Sequence, residues 1–159
     1  MRRIALALAA LLLLAPVAGA RADEGAAPDP AAARSEIIRV ITDSYVDGIH
    51  NFRDPEAIRR GFHPEFEMLF LRDGHLAKLP IADWIARIEA QNAKEAPPAR
   101  EGAARTTEAR FERLEIAGDA AVVRLELWRE GKHVFTDFLS LYHFSDGWKI
   151  VGKTYYRHP

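Results

Sequence analysis

The chain is constrained most by its C-terminal third. His133 to Tyr156 reads HVFTDFLSLYHF, then Ser145-Asp146-Gly147, then WKIVGKTYY. Two runs rich in aromatic and β-branched residues flank a short glycine-containing connection, the sequence pattern of a β-hairpin. If Phe144 faces Trp148 across a three-residue turn, side chains alternate between two faces. One face carries Thr136, Phe138, Ser140, Tyr142, Phe144, Trp148, Ile150, Gly152, Thr154 and Tyr156. The other carries Phe135, Asp137, Leu139, Leu141, His143, Lys149, Val151, Lys153 and Tyr155. The first mixes large aromatics with small polar groups, as a pocket wall does, and is expected to point inward.

The preceding strand offers a second register. If Arg129 faces Lys132 across Glu130-Gly131, then Ala121, Val123, Leu125 and Leu127 share the face of Ser140, Phe138, Thr136 and Val134. The opposite face then aligns Arg124, Asp137 and Lys153 as cross-strand neighbours, read as an ion-paired outer surface.

Upstream, Ser35 is placed to cap a helix to about Asn51, with Ile37, Ile38, Ile41, Tyr45 and Ile49 as its apolar stripe. Asp54-Pro55 starts a second helix, Pro55 to Gly61, ended by His63-Pro64. Phe66 to Arg72, the turn Asp73-Gly74, and His75 to Leu79 form a hairpin. A third helix runs from Pro80 to about Asn92, with Trp84 inward, and Lys94 to Arg105 is a loop. Thr107 to Ala117 and Ala120 to Glu130 complete four C-terminal strands. The order ααββαββββ predicts an α+β fold, a curved antiparallel sheet wrapped around helices.

Met1-Arg2-Arg3 and the short run IALALAALLLLAPVAGA read as a secretory signal over residues 1–20, with cleavage after 20 or 22. The mature chain is then expected to be exported to the periplasm or beyond, with no membrane attachment after cleavage. The Ala/Pro-rich residues 21–34 read as a disordered lead-in to a single domain over 35–159. The absence of cysteine excludes disulfides and thiol catalysis. With 22 basic and 23 acidic residues, there is no electrostatic footprint for nucleic acid.

The element order, with the segments YVDGIHNFRDPEAIRRGFHPEFEML and FTDFLSLYHFSDGWKIVGK, resembles the nuclear transport factor 2-like superfamily, and within it the Putative lumazine-binding group. The resemblance covers about Ile37 to Tyr156. It implies an α+β cone around a pocket, and frequent dimerisation. The superfamily also includes ketosteroid isomerases, whose oxyanion hole joins a first-helix tyrosine to a protonated acid. Tyr45 falls near that tyrosine. Phe70 and Ser140 fall where the base and the second acid would stand, so that mechanism is not carried over.

The expected ligand site is therefore Tyr45, Phe70, Trp84, Thr136, Phe138, Ser140, Tyr142 and Thr154, an apolar pocket with a few hydroxyls suited to a small apolar or aromatic ligand. Were the chain an isomerase, cyclase or dehydratase, Tyr45 and His63 would carry the chemistry, without a cofactor. A protein-interaction domain is the third reading, and it would fill the concave side with side chains. The scattered histidines show no ligand spacing, so no metal site is expected. The apolar outward stripe Phe135, Leu139, Leu141, Val151 and Tyr155 suggests a second copy of the chain covering it.

Overall fold

The computed structural model describes residues 29–159. The signal segment, its cleavage points and residues 21–28 lie outside the described residues. Helix α1 spans Pro30–Val40 and begins before the expected Ser35 cap. Asp29 is the cap, its carboxylate accepting from the Ala31 N–H, and Pro30 opens the first turn. Ser35 lies inside the helix and donates to the Ala31 carbonyl. Residues 30–34, read from composition as a disordered lead-in, are thus helical. Asp29-Pro30 is the same signal as Asp54-Pro55, and it outweighs the Ala/Pro-rich composition around it.

From Ile41 to Asn51 the helix continues with π spacing, and Phe52 N–H donates to the Asp47 carbonyl five residues back. Ser44 through Ile49 are all buried in this stretch, because helix α2 (Pro55–Gly61) covers one side and the sheet the other. The end of the π stretch is fastened to the sheet. Asn51 Oδ1 accepts from the N–H groups of Thr106 and Thr107, and its amide donates to Asp47 and to the Thr107 carbonyl. Buried Asp47 also takes a two-pronged bond from Arg105.

Strands β1 (Phe62–Arg72) and β2 (His75–Pro80) form the first hairpin, helix α3 covers Ile81–Asn92, and β3 (Thr107–Ala117), β4 (Ala120–Arg129), β5 (Lys132–Phe144) and β6 (Gly147–Arg157) follow. They make one sheet in the order β2-β1-β6-β5-β4-β3. Every neighbouring pair is antiparallel except β1 and β6, which run parallel, so the sheet is mixed rather than antiparallel throughout. No tight turn joins β1 to β6, and none therefore fixes their direction. The fold is the expected α+β cone, an open curved sheet packed on three helices. Among the described residues, no helix is long and apolar enough to cross a membrane.

Two bulges decide which side of β5 faces the helices. The pair Arg129–Lys132 is as expected, but Trp128 pairs with His133 and Leu127 with Phe135, leaving Val134 as an extra residue. At the other end the turn has two residues, Phe144 pairing with Gly147. Leu141 then meets Ile150, Ser140 meets Gly152, and Val151 is extra. Each bulge moves the alternation by one residue. Leu139, Leu141, Trp148 and Ile150 are therefore buried in the core with Ala121, Val123, Leu125 and Leu127. Phe138 (51 % exposed), Ser140, Tyr142 (48 % exposed), Thr154 and Tyr156 point outward. Along β5, and along β6 beyond Val151, the faces are the reverse of the sequence expectation, whereas Trp148 and Ile150 face inward as expected.

Candidate functional site

The inward face of β5 and β6 brings Asp137 and Lys153 under the π stretch of the first helix, where Tyr45 descends onto them. Asp137 is 0 % and Lys153 6 % exposed. The Tyr45 phenol donates to Asp137 Oδ2 at 2.6 Å, and the Lys153 ammonium donates to the phenol oxygen at 2.5 Å. Lys153 Nζ also lies 2.8 Å from Asp137 Oδ1, an ion pair that closes the triangle without a well-aligned hydrogen bond. Burial, followed by the charge of Asp137 and the bond made to it, pushes the Tyr45 phenol well above its ordinary value, so it stays neutral. Burial lowers the Lys153 ammonium, opposed by Asp137.

Aromatic rings enclose the ammonium. Its Nζ is 4.7 Å from the ring centre of Tyr155, 4.8 Å from Tyr45, and 5.8 Å from both Trp84 and Phe135. His50 packs edge-on against Tyr45 with ring centres 4.9 Å apart, and its Nε2 is buried without a hydrogen-bond partner. Burial and then the charges of Lys153 and Arg129 lower its pKa to about 3, which leaves a neutral imidazole. Phe70, Trp84, Phe135 and Tyr155 pack against this core and are only half-buried. Phe62 packs against Tyr45, and both Phe62 and Phe66 pack against Trp84; these two and Ile58 are buried.

Of the expected ligand residues, the structure brings together Tyr45, Trp84 and Phe70 on the concave side. Thr136, Phe138, Ser140, Tyr142 and Thr154 lie on the convex face instead. Thr136 is nonetheless covered, its hydroxyl bonding to the rings of His133 and His158. The carboxylate facing Tyr45 is Asp137, not the Ser140 position, and Asp137 is a core residue rather than part of an outer ion pair with Arg124. Arg124 instead pairs with Glu126 on the other side of the sheet. His63 is not at the triad. Its Nδ1 accepts from the Glu65 N–H and its ring stacks on Phe144, while its strand neighbour Phe62 packs against Tyr45.

The stripe Phe135, Leu139, Leu141 and Tyr155, expected to face a partner, packs against the core. The residues missed were Lys153 and His50, together with the inward role of Asp137. A usable signal was present. The set Leu139, Leu141, Ile150 is purely aliphatic, whereas its alternative includes Ser140 and Thr154.

In this arrangement the Tyr45 proton is already committed to Asp137. Lys153 retains donors, and Asp137 and His50 retain acceptor capacity. Among the described residues, no group of three metal-ligating side chains assembles.

Residues 32–156 match the model of a family described as Putative lumazine-binding. Among solved structures, a nuclear transport factor 2-like protein of unknown function from Shewanella baltica OS155 aligns at 24 % identity and TM-score 0.64, over 82 % of this chain and 98 % of that one. One from Silicibacter pomeroyi DSS-3 aligns at 20 % identity and TM-score 0.64, over 82 % and 99 %. One from Methylobacillus flagellatus KT aligns at 20 % identity and TM-score 0.60, over 84 % and 98 %. At these identities the likeness establishes the fold alone. No curated protein matches.

Proposed function

Since the chain belongs to the Putative lumazine-binding family of the nuclear transport factor 2-like superfamily, we propose that it is an exported small-molecule-binding module without catalysis. Its ligand would enter at the rim of Phe70, Trp84, Phe135 and Tyr155 and rest above Tyr45, Asp137 and Lys153. One observation carries this reading. An ion pair bridged by the Tyr45 phenol is buried beside four half-buried aromatic rings. Burying charges costs more than apolar packing in the same space, so a retained pair beside such rings supports a site. The family description agrees, since lumazine is itself a small ring-bearing molecule.

Binding is favoured over turnover because the Tyr45 proton is already donated to Asp137, and His63 stands elsewhere. The experiment is a fluorescence titration with neutral aromatic amides of increasing ring size, benzamide and naphthamide, read through Trp84. Saturable quenching is expected, and it should disappear in Trp84→Phe and weaken in Tyr155→Ala. Absence of saturable binding across the series would contradict the reading and leave the protein-interaction alternative. Turnover of a ketone substrate that is lost in His63→Ala would overturn it in favour of an enzyme.

A further inference from the structure

The parallel ladder between β1 and β6 is short. It pairs Glu67 with Gly152 and Met68 with Lys153, whereas the strands run on to Arg72 and Arg157. Beyond Lys153, β6 stays in register with β5, Asp137 pairing with Tyr155 and Phe135 with Arg157. β1 meanwhile stays in register with β2 as far as Arg72 and His75. The twisting sheet therefore splits between its two halves, leaving main-chain polar groups on the facing edges outside any ladder. The split opens a notch of about 550 Å³ lined by Phe70, Leu71, Arg72, Tyr155, Tyr156 and Arg157. That volume is in the range of small-molecule sites.

The lining has a distinct chemistry: three aromatic rings, one leucine, two arginines and no carboxylate. Alternation along each strand sets Phe70 and Arg72 on the face of β1 that carries Phe66 and Met68. It likewise sets Tyr155 and Arg157 on the face of β6 that carries Lys153. The guanidinium of Arg72 lies 5.3 Å above the Phe70 ring, and Phe70 and Tyr155 meet with ring centres 6.1 Å apart. Among the described residues, neither Arg72 nor Arg157 has a carboxylate within 4.0 Å, whereas seven of the other twelve arginines do. Tyr155 lines the notch and its ring centre also stands 4.7 Å from the Lys153 ammonium.

We propose that the notch binds a small planar organic anion, an aromatic or heteroaromatic carboxylate. Its ring lies against Phe70 and Tyr155, and its carboxylate lies between Arg72 and Arg157. The guanidinium fork matches carboxylate geometry and presents donors in two parallel directions. A flat ring exploits two aromatic faces at little conformational cost. This assignment rests on the binding reading above and adds to it the charge of the ligand and the residues that select for it.

The test uses isosteric pairs that differ only in charge, benzoate against benzamide and naphthoate against naphthamide, titrated calorimetrically into the intact protein. The carboxylate of the better-fitting pair should bind at least about tenfold more tightly than its amide, the sum of two exposed guanidinium contacts. Arg72→Gln and Arg157→Gln should each weaken carboxylate binding about threefold to fivefold and leave amide binding unchanged. The double variant should bind both members of the pair alike, and the carboxylate preference should shrink with added salt. Both arginines are exposed, so melting temperatures of the variants should stay at the wild-type value. Equal binding of carboxylate and amide by the wild type would overturn the anion assignment while leaving the binding reading intact. Failure of both members of every pair to bind would overturn the two together.

Discussion

His50 shows how far one residue can depart from its appearance in the sequence. It is one of six histidines in a chain with no ligand spacing among them, and it reads as incidental. In the fold its ring lies against Tyr45 with Nε2 buried and unpaired, and two cations act on it, so its pKa falls to about 3. The consequence for stability has a definite sign. The unfolded chain takes up a proton near pH 6.5 that the folded chain refuses until about pH 3. The contribution is fully present above pH 6.5 and is lost as pH falls, with a slope approaching about 1.4 kcal/mol per pH unit. Carboxyls begin to matter lower down. Burial raises Asp47, but the bonds from Arg105 and Asn51 hold it below its ordinary value. Urea titrations between pH 6.5 and 4.5 should therefore show falling stability in the wild type and a flatter profile in His50→Phe. Equal slopes would show that His50 is solvated.

Legibility at this scale was uneven, and the reason is geometric. Tyr45, Trp84 and Phe70 were placed inward correctly because helical spacing and a bulge-free stretch of β1 fix their direction. Asp137 and Lys153 were recognised as neighbours, and they are, at 2.8 Å. What the sequence did not reveal was the side of the sheet on which they meet.

That uncertainty belongs to the scale of the element. β5 meets two bulges, its own Val134 opposite β4 and Val151 of β6 opposite β5, and nothing in either valine distinguishes it from a regular strand residue. From Ser140–Gly152 to Thr136–Tyr156 the β5–β6 pairing is the expected one. Each register nonetheless missed a bulge, Val151 towards Trp148 and Ile150 and Val134 towards β4, and both omissions turned the same face of β5 inward. A period of two carries no memory of such a slip. The helices were more legible, since a cap followed by proline is a chemical signal rather than a phase, and only the earlier copy at Asp29-Pro30 was passed over.

The inverted face also relocates the surface available to a partner. Phe138, Tyr142, Val122 and Tyr156 stand exposed on the convex side, at 51 %, 48 %, 52 % and 58 %. We propose that a second copy packs against this exposed stripe. Phe138→Glu should therefore convert a dimer to a monomer in sedimentation experiments without lowering the melting temperature. Leu141→Glu would place a charge in the core and unfold the chain, because Leu141 is buried beside Ile150. A wild type that sediments as a monomer at tens of micromolar, about where weak dimers persist, would remove the convex interface.

For the whole molecule, the α+β cone was readable because element order and capping signals survive a one-residue error, whereas the lining of the cone does not. The parallel meeting of β1 and β6 was not readable at all, since most of the chain separates the two strands and no turn chemistry records their direction. Yet that junction sets both the triad and the notch, placing Met68 beside Lys153 and then letting the strands part.

The account stands on Asp137 and Lys153 meeting Tyr45 inside the cone, and a double-mutant cycle by urea unfolding tests this most directly. Asp137→Leu and Lys153→Met should each destabilise the protein by about 3–5 kcal/mol, because either leaves an uncompensated buried charge. The double variant should lose at least about 2 kcal/mol less than the sum of the two. If each single change costs below about 1 kcal/mol and the two simply add, the pair is a solvated surface contact. The inward face of the sheet would then be the one bearing Ser140 and Phe138.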